Sequence, residues 1–276
     1  MLLDGKKISQ KIKEEIANEV HHYLIKPCLA VIQIGDDEAS NIYIRSKEKA
    51  CTEVGIYFKH IKFSETVLER EIINKIIELN NDEYVNGILI QLPIPDKFNE
   101  YKLLNLIHKD KDIDGLTDSN VGKLFKGKNN LVPCTPMGII ELLKAYEVDL
   151  ESQHVVIVGR SNLVGKPLAM LFLQENATVT ICHSKTQNLK EFTKNADILI
   201  SAVGKKGLIQ ADMVKEDAVV VDVGISRVDG KIYGDVDNSV QEKASYISPV
   251  PGGVGPMTVA MLLKNVLLNY QKSNRS

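Results

Sequence analysis

The chain has 276 residues, 44% hydrophobic and 25% charged, with a formal net charge of −2. That composition describes a globular protein with room for two modest domains, and its near-neutral balance gives no reason to expect nucleic acid or an anionic membrane as partner. The longest apolar stretches, such as residues 196–203, fall far short of the ~20 residues a membrane span requires.

The first residues, MLLDGKKISQ, lack the apolar core of a secretion signal and read as a short strand and turn before a helix over 7–23. CLAVIQIG (28–35) and NGILIQLP (86–93) read as short buried strands, and helical periodicity covers 39–54, 66–80 and 99–108. After Pro133 the pattern sharpens into helix 136–146, strand HVVIVG, a helix from about 165, strand ATVTIC, a helix, and strands ADILISAV and AVVVDVGI. A final amphipathic helix is expected over 257–270, directly after PVPGGVGP. Strands alternating with helices give a parallel sheet covered on both faces. The Gly/Lys/Asn-rich stretch 126–130, followed by Leu131, Val132 and Pro133, marks a seam. The expected fold class is therefore α/β: two α/β domains with a cleft between them, the second a Rossmann-type dinucleotide-binding domain.

Four cysteines, Cys28, Cys51, Cys134 and Cys182, lie far apart without a CxxC pair, so free thiols in a reducing cytoplasm are expected. No histidine has metal-ligand spacing, and no metal site is expected.

Lys47 is the most informative residue. SNIYIRSKEKACTEVG (40–55) reads as a helix with Ser40 or Asn41 as cap and Gly55 as stop. Tyr43, Lys47, Ala50, Cys51 and Val54 then share an apolar stripe roughly 100° wide. A buried ammonium costs several kcal/mol unless paired or deprotonated, which suits a catalytic lysine. The alternative is a lysine reaching past the edge of the stripe.

HVVIVG ends at Gly159, and Arg160, Ser161, Asn162, Leu163 and Val164 lead to Gly165, Lys166 and Pro167, where a helix begins. A strand, a glycine turn and a helix N-terminus present free N–H groups and a positive dipole end to a phosphate. The usual GxGxxG is absent, so a structural βα turn remains the alternative. In NAD-binding units an acidic residue about 20 positions on bonds the ribose 2′-hydroxyl. Here the next strand ends Cys182, His183, Ser184, Lys185, Thr186, with no carboxylate. Hydroxyls and positive charge there, with Arg160 nearby, favour NADP over NAD.

Three further polar or flexible positions stay ambiguous from the residues alone. Gln91 either faces a cleft beyond its strand or caps strand-end backbone groups. Asp114 lies in an Asp-Gly pair, which reads first as a turn. PGGVGP (251–256) is either a backbone surface for a flat ligand or an interdomain hinge.

Taken together, YIRSK (43–47), GILIQLP (87–93), KDIDGL (111–116), PCTP (133–136), GRS (159–161) with Val164 and Gly165, CHSKT (182–186) and PVPGGVGPMT (249–258) run in register from Leu3 to the last helix. The chain resembles the bifunctional methylenetetrahydrofolate dehydrogenase/methenyltetrahydrofolate cyclohydrolases. The resemblance implies that Lys47 is the cyclohydrolase lysine, with Tyr43 beside it and Gln91 bonded to its amine. It implies that Asp114 hydrogen-bonds the pterin ring, and that Ile90, Gln91, Leu92 and the Pro251, Gly252, Gly253 loop line the folate site. Gly159, Arg160, Ser161, Val164, Gly165, His183, Ser184, Thr186 and Ile225 match dinucleotide contacts. The last helix returns to the first domain, giving 1–136 plus 257–276 for folate binding and catalysis and 137–256 for NADP. Tetrahydrofolate derivatives are the implied substrates, and the family is homodimeric through its cofactor domains. A shikimate-type dehydrogenase shares the architecture but oxidises a hydroxyl and needs no pterin-binding aspartate. A non-catalytic NADP sensor has no reason to bury Lys47.

Overall fold

The computed structural model describes residues 1–128 and 131–273. Asn129 and Asn130, the end of the stretch expected to mark the seam, lie outside the described residues. The chain divides into two compact units, Gln10–Cys134 with Val259–Ser276 and Met1–Ser9 with Thr135–Thr258.

The elements run α1 (Gly5–His21), β1 (Cys28–Ile34), α2 (Glu38–Val54), β2 (Tyr57–Phe63), α3 (Glu69–Asn81), β3 (Gly87–Ile90), α4 (Glu100–Asn105), α5 (Asp118–Phe125) and α6 (Cys134–Ala145). They continue with β4 (His154–Val158), α7 (Gly165–Gln174), β5 (Thr178–Cys182), α8 (Leu189–Thr193), β6 (Ile198–Ser201), β7 (Val219–Asp222), β8 (Ser226–Val228), β9 (Lys231–Tyr233), β10 (Tyr246–Ile247) and α9 (Val254–Ser273).

In the first unit, a parallel sheet has the order β2-β1-β3. All seven residues of β1 are buried, which explains its largely apolar sequence; the exception, Gln33, is hydrogen-bonded to Asn41 and His60. Ala30, Ile32 and Ile34 pack with Ile72, Ile76 and Leu79 of α3 and with Ile88 and Ile90 of β3. β2 was not legible as a strand: YFKHIKF carries two lysines and a histidine along a sheet edge, and no residue of it is fully buried. α5 also escaped the sequence reading; Thr117 caps it by accepting from the Asn120 N–H.

The second unit holds a five-stranded parallel sheet of order β10-β7-β6-β4-β5. Val156, Val158, Leu199 and Val220 belong to its core. Leu3 donates its N–H to the Ile247 carbonyl and Leu2 bridges the same residue, so the first residues extend this sheet past β10. β8 and β9 form a hairpin whose turn holds Asp229 at φ 50° and Gly230 at φ 74°, the left-handed pair that an Asp-Gly hairpin requires. That hairpin was missed although its Asp-Gly pair is visible in the sequence. No described helix is long and apolar enough to cross a membrane.

Candidate active site

α2 carries Lys47. Asp37, rather than Ser40 or Asn41, is its N-cap, accepting from the Ser40 N–H at 2.7 Å, and Gly55 closes it in the left-handed conformation at φ 77°. The buried stripe is Ser40, Ile44, Ala50, Cys51 and Val54. Lys47 falls in its middle and is half-buried. Tyr43, one turn before Lys47 and within the same stripe by rotation, is nonetheless 43% exposed, whereas Ile44 beside it is buried.

The Lys47 ammonium donates to Gln91 Oε1 at 2.9 Å. Gln91 follows β3 directly, and its backbone N–H bonds the Ile32 carbonyl. Its Nε2 donates to the Leu92 carbonyl at 2.7 Å, so the amide can present only its oxygen to the lysine. A neutral acceptor holds the amine without compensating its charge. Burial accordingly pushes the Lys47 pKa down, and the Asp114 carboxylate is the first group that pulls it back. Ile90 turns its side chain into the core.

Asp114 sits on a turn built by its neighbours. Asp112, 2% exposed, accepts from the N–H groups of Leu116 and Thr117 and from the Asn120 amide. Gly115 adopts φ 66°, and a Cβ there would meet the Leu131 carbonyl at 2.9 Å. Burial raises the Asp114 pKa; the Lys47 charge and hydrogen bonds from Cys134 oppose that rise. Asn265 of α9 donates to the carbonyls of Ile113 at 2.8 Å and Val132 at 3.1 Å, tying both sides of this turn to the last helix. Asp112, Cys134 and Asn265 were not among the residues singled out from sequence. The available signal was Asn265 itself, a buried amide inside the apolar run AMLLKNVLL.

In the five-stranded unit, Gly159 follows β4 at φ 134°, and a Cβ there would meet the Ala202 carbonyl at 2.6 Å. Gly165 packs its α-carbon against the Gly159 backbone with no room for a side chain. Between them Arg160 and Ser161 are exposed, and the Ser161 hydroxyl accepts from the Val164 N–H at 3.1 Å. This is a glycine cradle opening at the start of α7, a geometry that fits a phosphate of a dinucleotide. At the end of β5, Thr186 Oγ accepts from the His183 N–H at 2.9 Å, and His183 Nδ1 accepts from the Lys185 N–H at 3.1 Å. His183 and Thr186 thus build the turn and leave Ser184 exposed on it. Ile225 is 45% exposed after β7. In the 251–253 loop, Gly252 adopts φ 119° and its carbonyl accepts from the Lys6 N–H at 3.0 Å; Pro251 is exposed and Gly253 buried.

Comparison with known proteins matches the chain to one family. Residues 3–114 match the catalytic domain of the tetrahydrofolate dehydrogenase/cyclohydrolase family, and residues 133–274 match its NAD(P)-binding domain. A bifunctional FolD protein of Clostridium novyi is 52% identical over 269 residues, covering 96% of this chain and 97% of that one. The crystal structure of the bifunctional FolD methylenetetrahydrofolate dehydrogenase/cyclohydrolase of Campylobacter jejuni is similar with a TM-score of 0.97 at 48% identity, covering 100% and 99% of the two chains. The FolD enzyme of Trypanosoma brucei, solved with NADP and an inhibitor, gives a TM-score of 0.95 at 35% identity, with 100% and 99% covered.

Proposed function

The chain belongs to the tetrahydrofolate dehydrogenase/cyclohydrolase family, and on that footing we propose a two-step activity. It oxidises 5,10-methylenetetrahydrofolate to the 5,10-methenyl form with NADP, then hydrolyses that product to 10-formyltetrahydrofolate. The observation that carries the reading is the half-buried Lys47 amine held by the neutral Gln91 amide.

Loss of a hydride from the methylene bridge leaves a cation delocalised over two nitrogens. That step needs no general base, only alignment of the carbon with the hydride acceptor. NADP, when bound, supplies the hydride acceptor. Gly159, Arg160, Ser161, Val164 and Gly165 would hold its diphosphate region, and Ile225 an apolar part. Ser184 and Arg160 would take the 2′-phosphate, on the turn that His183 and Thr186 shape.

Hydrolysis makes other demands. Water must lose a proton as it adds to the methenyl carbon, and a ring nitrogen must gain one as its bond to that carbon breaks. Neutral Lys47 takes the first proton and, as the ammonium, delivers it to the leaving nitrogen; the remaining hydroxyl proton passes to solvent as the formyl C=O forms. Gln91 Oε1 accepts an N–H from either form of the amine, so it fixes position without fixing charge. Tyr43, one turn earlier and exposed, places a hydroxyl on the same side of α2. The Asp114 carboxylate would anchor the pterin through paired N–H donors.

The test is a single assay of the purified protein with 5,10-methylenetetrahydrofolate and either NADP⁺ or NAD⁺, following methenyl formation and decay. Formation faster with NADP⁺, followed by decay beyond the rate in buffer, is expected. Oxidation of a hydroxyl substrate with no folate turnover would move the chain to the shikimate class. Resemblance to the folate family also supports a cytoplasmic homodimer joined through the cofactor-binding units, which sedimentation of the same sample checks.

A further inference from the structure

Two carboxylates in the five-stranded unit have no part in the chemistry above. Asp222, the last residue of β7, is 4% exposed, and Asp235 is 0% exposed. Neither has an ion-pair partner among the described residues; hydrogen-bond donors surround them instead. Asp235 accepts from the Ser201 hydroxyl at 2.8 Å, the Val203 N–H at 2.7 Å and the Lys205 N–H at 2.6 Å. Asp222 accepts from the N–H groups of Gly224 at 3.1 Å, Asp235 at 2.9 Å and Val236 at 2.9 Å. Gly224 lies directly against the Asp235 carboxylate and Gly234 against that of Asp222, and a Cβ at either position would overlap them. Six donors thus converge on two groups. Only an acceptor-only side chain satisfies three donors at once, because an amide would turn N–H toward N–H.

Val203 and Lys205 lie in the loop that follows β6 and Gly224 in the loop that follows β7, at the carboxyl ends of neighbouring strands, where open α/β sheets bind their ligands; Ser201 closes β6 itself, and Asp235 and Val236 come just after β9. The Ser226 hydroxyl joins the two loops by donating to the Gly204 carbonyl at 2.8 Å. Each loop leaves one large apolar side chain uncovered: Val203 is 48% exposed and Ile225 45%. A tightly bonded backbone displaying two exposed aliphatic side chains is poor economy for a surface that meets only water.

We propose that Asp235 and Asp222 are positioning residues for dinucleotide binding, holding the two loops from beneath so that Val203 and Ile225 together present an apolar face to the bound cofactor. This rests on the dinucleotide reading of the five-stranded unit. Val203 becomes a cofactor contact, and Asp235 acts only through the backbone it bonds.

The experiment uses the full chain and reads the two activities separately, because hydrolysis of methenyltetrahydrofolate supplied directly requires no dinucleotide. Asp235→Asn should raise the KM for NADP⁺ by about tenfold or more, as loss of a charge-assisted contact network does. Its KM for the folate and its hydrolysis rate should stay near those of the parent. Val203→Ser keeps both carboxylates and should raise the same KM several-fold, which covers the case in which Asp235→Asn does not fold. Val156→Ala, in the core of the same sheet, lowers the melting temperature without touching either loop and should leave the NADP⁺ KM unchanged. An unchanged KM in both Asp235→Asn and Val203→Ser would overturn the proposal, and so would an equal rise in Val156→Ala. A parent protein with no NADP-dependent oxidation would instead sink the dinucleotide reading, and this proposal with it.

Discussion

Lys47 and Gln91 meet at 2.9 Å, and the Gln91 amide nitrogen is committed to the Leu92 carbonyl, so the lysine's partner is an oxygen that carries no charge. A carboxylate in that place would stabilise the ammonium; the amide leaves its proton easier to lose. Gln91→Glu is therefore a charge test that keeps the side chain's length while giving up the bond to the Leu92 carbonyl. In the parent, hydrolysis rises with pH as Lys47 deprotonates, at a pKa that burial has pushed below the ordinary lysine value. The Glu variant should shift that rise to higher pH and lose hydrolysis near neutrality, while dehydrogenation falls less. An unshifted pH–rate profile would show that Gln91 does not tune the amine.

Asp114 is expected to anchor the substrate for both reactions. Asp114→Ala removes charge-assisted bonds of roughly 1.5–3 kcal/mol each, so kcat/KM should fall about tenfold or more for oxidation and hydrolysis alike. The folate KM of each activity is the quantity to measure. Lost hydrolysis beside unchanged oxidation would place Asp114 in proton transfer instead.

Cofactor choice is expected to reside at the end of β5. Ser184→Asp adds repulsion toward a 2′-phosphate and an acceptor for a free 2′-hydroxyl. The ratio of kcat/KM for NADP⁺ to that for NAD⁺ should drop by about tenfold or more, given the size of one charge-assisted contact. Equal losses for both cofactors would mean that this turn does not read the ribose.

Asp222 makes stability fall as pH rises. Burial pushes its carboxyl up to about 6 in the folded chain, against about 3.9 in the unfolded one. Below the lower value both states hold the proton. Between the two values only the folded state does, so raising the pH favours unfolding. The difference of about two units corresponds to roughly 3 kcal/mol, lost between about pH 4 and 6 and constant above. Asp222→Asn cannot titrate, so parent stability measured relative to this variant should decline across that window and then level off. A flat difference from pH 4 to 7 would remove the assignment.

The strands that are buried on both faces were legible because their centres, LAVI, VVIV and VVV, are apolar without interruption. β2 was not, since an edge strand can carry lysines on a face that the sheet leaves open. Lys47 stood out because a single charge interrupted a helical stripe; the same periodicity places Tyr43 on that side of the helix but does not tell that it is exposed there. Asp114 could not be separated from a plain turn, because what surrounds it arrives from far along the chain. Asn265 is 152 residues from the Ile113 carbonyl it bonds and 133 from that of Val132. Local patterns carry no trace of such partners. The cap of α2 was missed because Asp37 lies just before the residues whose periodicity defines the helix.

The claim that Lys47 performs hydrolysis is tested most directly by Lys47→Met, which retains the aliphatic stem and removes the amine. The measurement is the time course of the methenyl intermediate after mixing the variant with 5,10-methylenetetrahydrofolate and NADP⁺. The methenyl form should appear through residual dehydrogenation and then accumulate, decaying no faster than in buffer. Decay at the parent's rate would contradict the account, since the protons of hydrolysis would then be moved by another group.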